Sequence, residues 1–143
     1  MDRLLPPVKF VDPPAPEHGR ELALELIEKV SPRLGGLVIA KMVVEQECWR
    51  MGYFQTGPNN SSLQSLVIPL LIGGFAIGIN EYNLPRDPEE RIRQEAFLAG
   101  HEIAHSFFYH ASPEQVPRRI SSRWASRDEE EFCDAFGRPF SEW

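Results

Sequence analysis

The sequence predicts a small α+β domain in which a short, mostly antiparallel sheet packs on one long helix. Three observations carry this expectation. Two apolar runs flank Gly73-Gly74 in LQSLVIPLLIGGFAIGIN, the pattern of a β-hairpin. A stretch opening on Asp87-Pro88 then keeps helical periodicity to about Tyr109. That stretch contains HEIAH, His101 to His105, two imidazoles and a carboxylate among small or apolar residues.

The elements follow in chain order. Residues 1–18 are Pro-rich and aperiodic and read as an extended arm or disordered lead-in, with the folded domain spanning 19–143. Leu22, Ala23, Leu26, Ile27 and Val30 then fall at helical spacing, and Pro32, Gly35 and Gly36 end that helix. LVIAKMVVEQ is rich in β-branched residues and reads as a strand from Leu37 to about Glu45, although its end is also compatible with helix. FQTGPNNSS is a loop, and Pro69 in the first hairpin run fits an edge position or a bulge. Asp87 is an N-cap with proline in the first turn, and Glu89 and Glu90 suit the positive end of the helix dipole. After the loop HASPEQVPRRISS, Ser126 or Asp128 caps a last short helix with Phe132, Ala135 and Phe136 as its apolar side. Gly137 and Pro139 are expected to stop it.

Composition narrows the function classes. A net charge of −6 repels phosphate backbones, so direct nucleic-acid binding is not expected. The first twenty residues hold five prolines and no apolar core of a signal peptide. The most apolar stretch, Leu63 to Ile79, is interrupted by a proline and three glycines, so no membrane span is expected and the cytoplasm is the default location. Cys48 and Cys133 belong to no CxxC pair and read as free thiols of a reducing compartment.

His101 and His105 are four residues apart, so on a helix their imidazoles lie on one face and can converge on one ion. Zinc takes nitrogen ligands at about 2.0–2.1 Å in a tetrahedral shell, which leaves two places for a further protein group and water. Zinc lowers the pKa of such a water to about 7, and Glu102 stands beside the pair where its carboxylate can take the proton and return it to a leaving amine. His110 is rotated off the His101/His105 face and reads as a bystander. A third ligand is sought downstream, where SRDEEEFCDAF places Glu130 twenty-five residues after His105 on a second helix. Asp128 and Glu129 read as solvated first-turn acids serving the dipole.

HEIAHSFFYH followed by EEEFCDAFG resembles the ImmA/IrrE family of metallopeptidases, which carries HExxH on one helix and a Glu-x-x-Ala/Cys-x-x-Phe element on the next. Glu130, Cys133, Phe136 and Gly137 match that element, and GGFAIGIN resembles the strand before the family's active-site helix. The resemblance extends from about Val38 to Phe140. It implies a zincin-like form of the α+β fold, Zn2+ as cofactor, His101, His105 and Glu130 as metal ligands, and Glu102 as catalytic base. Glu131 is the alternative third ligand, because the acidic run permits a one-residue slip. The resemblance also implies an endopeptidase whose protein substrate is a transcriptional repressor, acting in stress response or mobile-element control. The competing expectation is a non-catalytic zinc-binding module of the same fold.

Other residues have two readings each. Tyr109, four residues past His105, either continues the ligand face and steadies an oxyanion or is a packed aromatic. Asp134 either orients a ligand histidine or is exposed. Arg118, Arg119 and Arg123 either bind an acidic substrate stretch or pair with Glu129 or Glu131, the expected use. Cys133 reads as packing rather than ligation. The hairpin over residues 64–80 offers an edge strand that can accept a substrate backbone.

Overall fold

The computed structural model of the chain describes residues 3–30, 33–60, 62–112, 114–121 and 124–143. Among them it is an α+β fold of four α-helices and a small mixed sheet. The helices are α1 (Pro16–Val30), α2 (Gly36–Gln46), α3 (Pro88–His105) and α4 (Arg127–Glu142). The strands β1 (Arg50–Phe54), β2 (Ser65–Pro69) and β3 (Phe75–Asn80) form a three-stranded sheet, and β4 (Tyr109–His110) pairs with β5 (Arg118–Arg119). No helix among the described residues is long and apolar enough to cross a membrane.

The sheet differs from the mostly antiparallel expectation. Its order is β1-β3-β2, with β1 parallel to β3 and β2 antiparallel to it. The hairpin stands as expected: β2 and β3 pair from Ser65↔Ile79 to Pro69↔Phe75, and the loop between them uses left-handed Gly73 and Gly74, at φ +97° and +73°. Pro69 is tolerated because β2 is an edge strand, where a missing N–H breaks no ladder on its outer side. Phe75, Ile77 and Ile79 alternate into the core from the central strand.

The expected strand at 37–45 is instead α2. Leu37, Ala40, Val43 and Val44 are buried at three- and four-residue spacing, and that burial outweighs the β preference of their branched side chains. The helix closes with Cys48 in the left-handed region, φ 60°. Its N–H donates to Glu45 O at 3.1 Å and the Trp49 N–H to Val44 O at 2.9 Å. This is the reversal that usually carries glycine. The strand then falls at 50–54.

Residues 3–15 lack regular secondary structure, but they are not a free arm. Leu4 and Leu5 are buried, Arg3 makes two hydrogen bonds to the Glu47 carboxylate, and the Phe10 N–H donates to Phe107 O at 2.9 Å. The Phe10 ring packs among Phe107, Phe108 and Phe132. Proline fixes the extended backbone cheaply, and the apolar residues between the prolines supply the contacts.

The last helix is not short. α4 continues through Gly137 and Pro139 to Glu142. Phe132, Phe136 and Phe140 are fully buried at four-residue spacing, and this stripe against α3 and α1 holds the helix across the hydrogen bond that Pro139 removes. Gly137 is a contact point rather than a stop. A Cβ there would lie 2.6 Å from Phe97 O and 2.9 Å from His101 N, and one on Gly100 would lie 2.9 Å from Gly137 Cα. The two glycines let α3 and α4 touch backbone to backbone beside His101. Gly137→Ala is expected to destabilise the protein by about 1–3 kcal/mol, the usual cost of overpacking, read from chemical denaturation.

Candidate metal centre and active site

α3 begins as its sequence suggests. The Asp87 carboxylate accepts from the Glu90 N–H at 3.1 Å, and Pro88 occupies the first turn. The helix ends at His105, four residues earlier than expected. The Ser106 hydroxyl donates to Ile103 O at 2.7 Å, and a 3-10 turn then buries both Phe107 and Phe108. α4 starts at the Ser126 cap, whose side chain accepts from the Glu129 N–H at 3.1 Å. Its first turns therefore face the last turn of α3.

Three side-chain donors converge between these helices. His101 Nε2 and His105 Nε2 lie 3.2 Å apart. Glu130 Oε2 is 3.0 Å from the first and Oε1 is 3.2 Å from the second. Ligands held at 2.0–2.1 Å around a tetrahedral ion stand roughly 3.3 Å from one another, so the spacing fits a shared cation. Electrostatics agrees with the geometry. Hydrogen bonds from His101 and His105 hold the Glu130 carboxyl well below the ordinary carboxylate range. Burial works to lower both imidazole pKa values, but the bond to Glu130 together with the charges of Glu102 and Glu130 for His101, and the bonds to Cys133, Glu129 and Glu130 for His105, jointly outweigh it and raise them. The pocket therefore favours positive charge, and a divalent ion supplies it without protons. Glu131 stands outside this grouping: it is exposed and pairs with Arg127 Nε at 3.2 Å.

The outer nitrogens are also met by carboxylates. Asp134 Oδ1 lies 2.7 Å from His101 Nδ1, although the approach is off the N–H axis, so the ring lacks a well-aligned hydrogen bond there. Glu129 Oε2 lies 2.7 Å from His105 Nδ1. Glu129 corrects the expectation of a solvated acid, since it is 2% exposed and also binds Arg119 Nη1 at 2.8 Å and Nη2 at 2.5 Å. Carboxylates on the outer nitrogens of ligand histidines fix the tautomer and ring orientation. Arg119 neutralises a carboxylate that burial would otherwise penalise. Its use is thus the ion pair expected of it, whereas Arg123 lies outside the described residues. Asp128 is exposed, as expected.

A second grouping, His105, Glu129 and Cys133, also brings potential ligand atoms together. It is the poorer cation site, because the Arg119 guanidinium already occupies Glu129. Burial pushes the Cys133 thiol up to about 12, although His105 works the other way, so it packs as a neutral group. If the pocket holds a divalent metal, Glu129→Gln is expected to weaken its binding about 10–100-fold, measured by competition with a chromogenic chelator, while Glu131→Gln leaves it unchanged.

Glu102 lies beside the convergence point. It is 5% exposed, its carboxylate groups with the two imidazoles, and Oε2 accepts a hydrogen bond from Ser65 Oγ at 2.5 Å. His101, Glu102, Glu130 and Asp134 line an open cleft of about 430 Å³ whose opposite wall is the 62–65 segment leading into β2. The edge strand of the hairpin thus borders the candidate centre.

Tyr109 does not continue the ligand face, because α3 has ended before it. Its ring packs edge-on against Phe75 at 5.1 Å and beneath Arg119 at 5.3 Å, the packed-aromatic alternative. His110 is exposed on β4. Ser65 has no reading from sequence, and Glu129 reads there as a solvated acid or an arginine partner rather than as the partner of His105. Ser65 lies thirty-seven residues from Glu102 with no local signal. Glu129 had one available signal, its place four residues before Cys133 and three before Phe132, on the buried side of an amphipathic helix.

No family model, characterised protein or solved structure matches the chain.

Proposed function

We propose that the protein is a zinc-dependent endopeptidase. The observation that carries this reading is the combination of a three-donor pocket, His101–His105–Glu130, with a buried carboxylate, Glu102, that lies beside the pocket and is held by a different partner. The donor set of two imidazoles and one carboxylate suits zinc, with a place left open to the cleft. Zinc, when bound, supplies a Lewis acid that acidifies water and polarises a carbonyl.

The chain's own residues supply the rest. His101, His105 and Glu130 hold the ion, with Asp134 and Glu129 behind the two rings. Glu102 takes a proton from the attacking water and passes it to the leaving amine. The outer edge of β2 binds an extended peptide as an added strand, main chain to main chain, which brings a backbone carbonyl into the cleft. A purely metal-holding module leaves Glu102 without a task.

The resemblance of HEIAHSFFYH and EEEFCDAFG to ImmA/IrrE metallopeptidases supports a zincin-like assignment and a regulatory substrate, a DNA-binding repressor. The test is cleavage of a co-expressed repressor and of a peptide library by the purified protein, before and after metal removal and zinc restoration. The proposal predicts zinc-restored cleavage. Cleavage that survives complete metal removal contradicts it.

A further inference from the structure

Buried Glu102 has a partner that neither the metal pocket nor the peptide-binding edge requires. Ser65 Oγ donates to Glu102 Oε2 at 2.5 Å, from the first residue of β2. The segment that carries Ser65 is itself fixed. Asn80, fully buried at the end of β3, donates through Nδ2 to Leu63 O at 2.7 Å and to Thr56 Oγ1 at 2.8 Å, and its N–H donates to Gln64 O at 2.9 Å. Asn83 Nδ2 adds a bond to Leu63 O at 3.0 Å, and Gln94 Nε2 on α3 donates to Gln64 Oε1 at 3.2 Å. The serine hydroxyl is thus presented to α3 by a rigid support rather than by a free loop.

We infer that Ser65 is a positioning residue for Glu102, an inference that rests on the hydrolase reading above. A glutamate side chain has three rotatable bonds, and a base a fraction of an ångström out of place loses much of its effect. The hydroxyl fixes one carboxylate oxygen against the cleft wall and leaves the other to carry the proton. Serine suits this place better than lysine or arginine, because it adds no positive charge beside a cation pocket. A hydroxyl also donates to a carboxylate and accepts from a carboxylic acid, so the contact persists as Glu102 gains and loses its proton. Ser65 begins the strand whose outer edge receives the peptide, so the element that aligns the substrate also aligns the base.

The experiment compares wild type, Ser65→Ala and Ser65→Thr on the best-cleaved peptide of a quenched-fluorescent library, with a thermal-melt cycle over Ser65→Ala, Glu102→Ala and the double variant. The expected results are a fall in kcat of about 10-fold or more for Ser65→Ala with KM within about two-fold, recovery in Ser65→Thr, and a Tm loss in the double variant smaller than the sum of the single losses. An active wild type with kcat unchanged in Ser65→Ala, or a loss that Ser65→Thr does not restore, overturns the role of Ser65 alone. Additive Tm losses overturn the contact, whatever the activity. A wild type that cleaves nothing overturns the hydrolase reading, and Ser65's catalytic purpose falls with it even where the Tm losses remain coupled.

Discussion

Glu102→Gln is expected to keep zinc and to lose peptide cleavage by roughly 10²–10⁴-fold, the usual contribution of a positioned general base. The amide has nearly the shape of the carboxylate, and its oxygen can still accept from Ser65 Oγ, so the buried contact at 2.5 Å has a replacement. The metal pocket is spared, because the donors that converge belong to His101, His105 and Glu130. What the substitution removes is an oxygen able to take a proton. Zinc stoichiometry by elemental analysis and initial rates on one peptide separate the two effects. A Glu102→Gln variant that cleaves as fast as wild type contradicts the assigned base.

Glu130→Gln is expected to have the larger effect on the metal itself. It takes a negative charge from between the buried His105 and the partly buried His101 and replaces a carboxylate ligand by a weaker amide oxygen. The loss in zinc affinity is expected to exceed the roughly 10–100-fold seen when a partner behind the ligands is changed, and so to exceed that of Glu129→Gln. Its fold stability changes little, since the side chain is about half exposed and the apolar stripe of α4 is untouched. Competition titration against a chelator of known affinity measures the ranking. Equal affinities for Glu129→Gln and Glu130→Gln contradict the division between ligand and support.

The helices that build the site are the most legible part of the sequence. α3 announces itself by Asp87-Pro88 and by three- and four-residue periodicity, α4 by Ser126 and its phenylalanines, and the hairpin by Gly73-Gly74. Elements set by long-range contact are not legible. α2 consists of strand-favouring residues that become helical because one helical face is buried, and its reversal is made by Cys48 where glycine is the usual signal. The parallel pairing of β1 with β3 leaves no local mark, since it depends on a return path through β2. Residues 3–15 look like a free arm because prolines suppress periodicity, yet Leu4, Leu5 and Phe10 complete the core. At the site, one-helix spacing identifies His101, Glu102 and His105, and the downstream acidic run narrows the third donor to Glu130 or Glu131. Choosing between neighbouring acids takes helix phase. At the start of α4 a single residue turns Glu129 behind His105, Glu130 between the rings and Glu131 out to Arg127. The end of α3 at His105 was hidden by the apolar run that follows it, and Tyr109 left the ligand face as a result.

We propose one zinc ion between α3 and α4. Its place is read from anomalous diffraction at the zinc edge, from crystals of the protein purified with zinc. One strong peak per chain is expected, within about 2.0–2.2 Å of His101 Nε2, His105 Nε2 and a Glu130 oxygen. A peak elsewhere, as between His105, Glu129 and Cys133, or no peak in protein saturated with zinc, contradicts it.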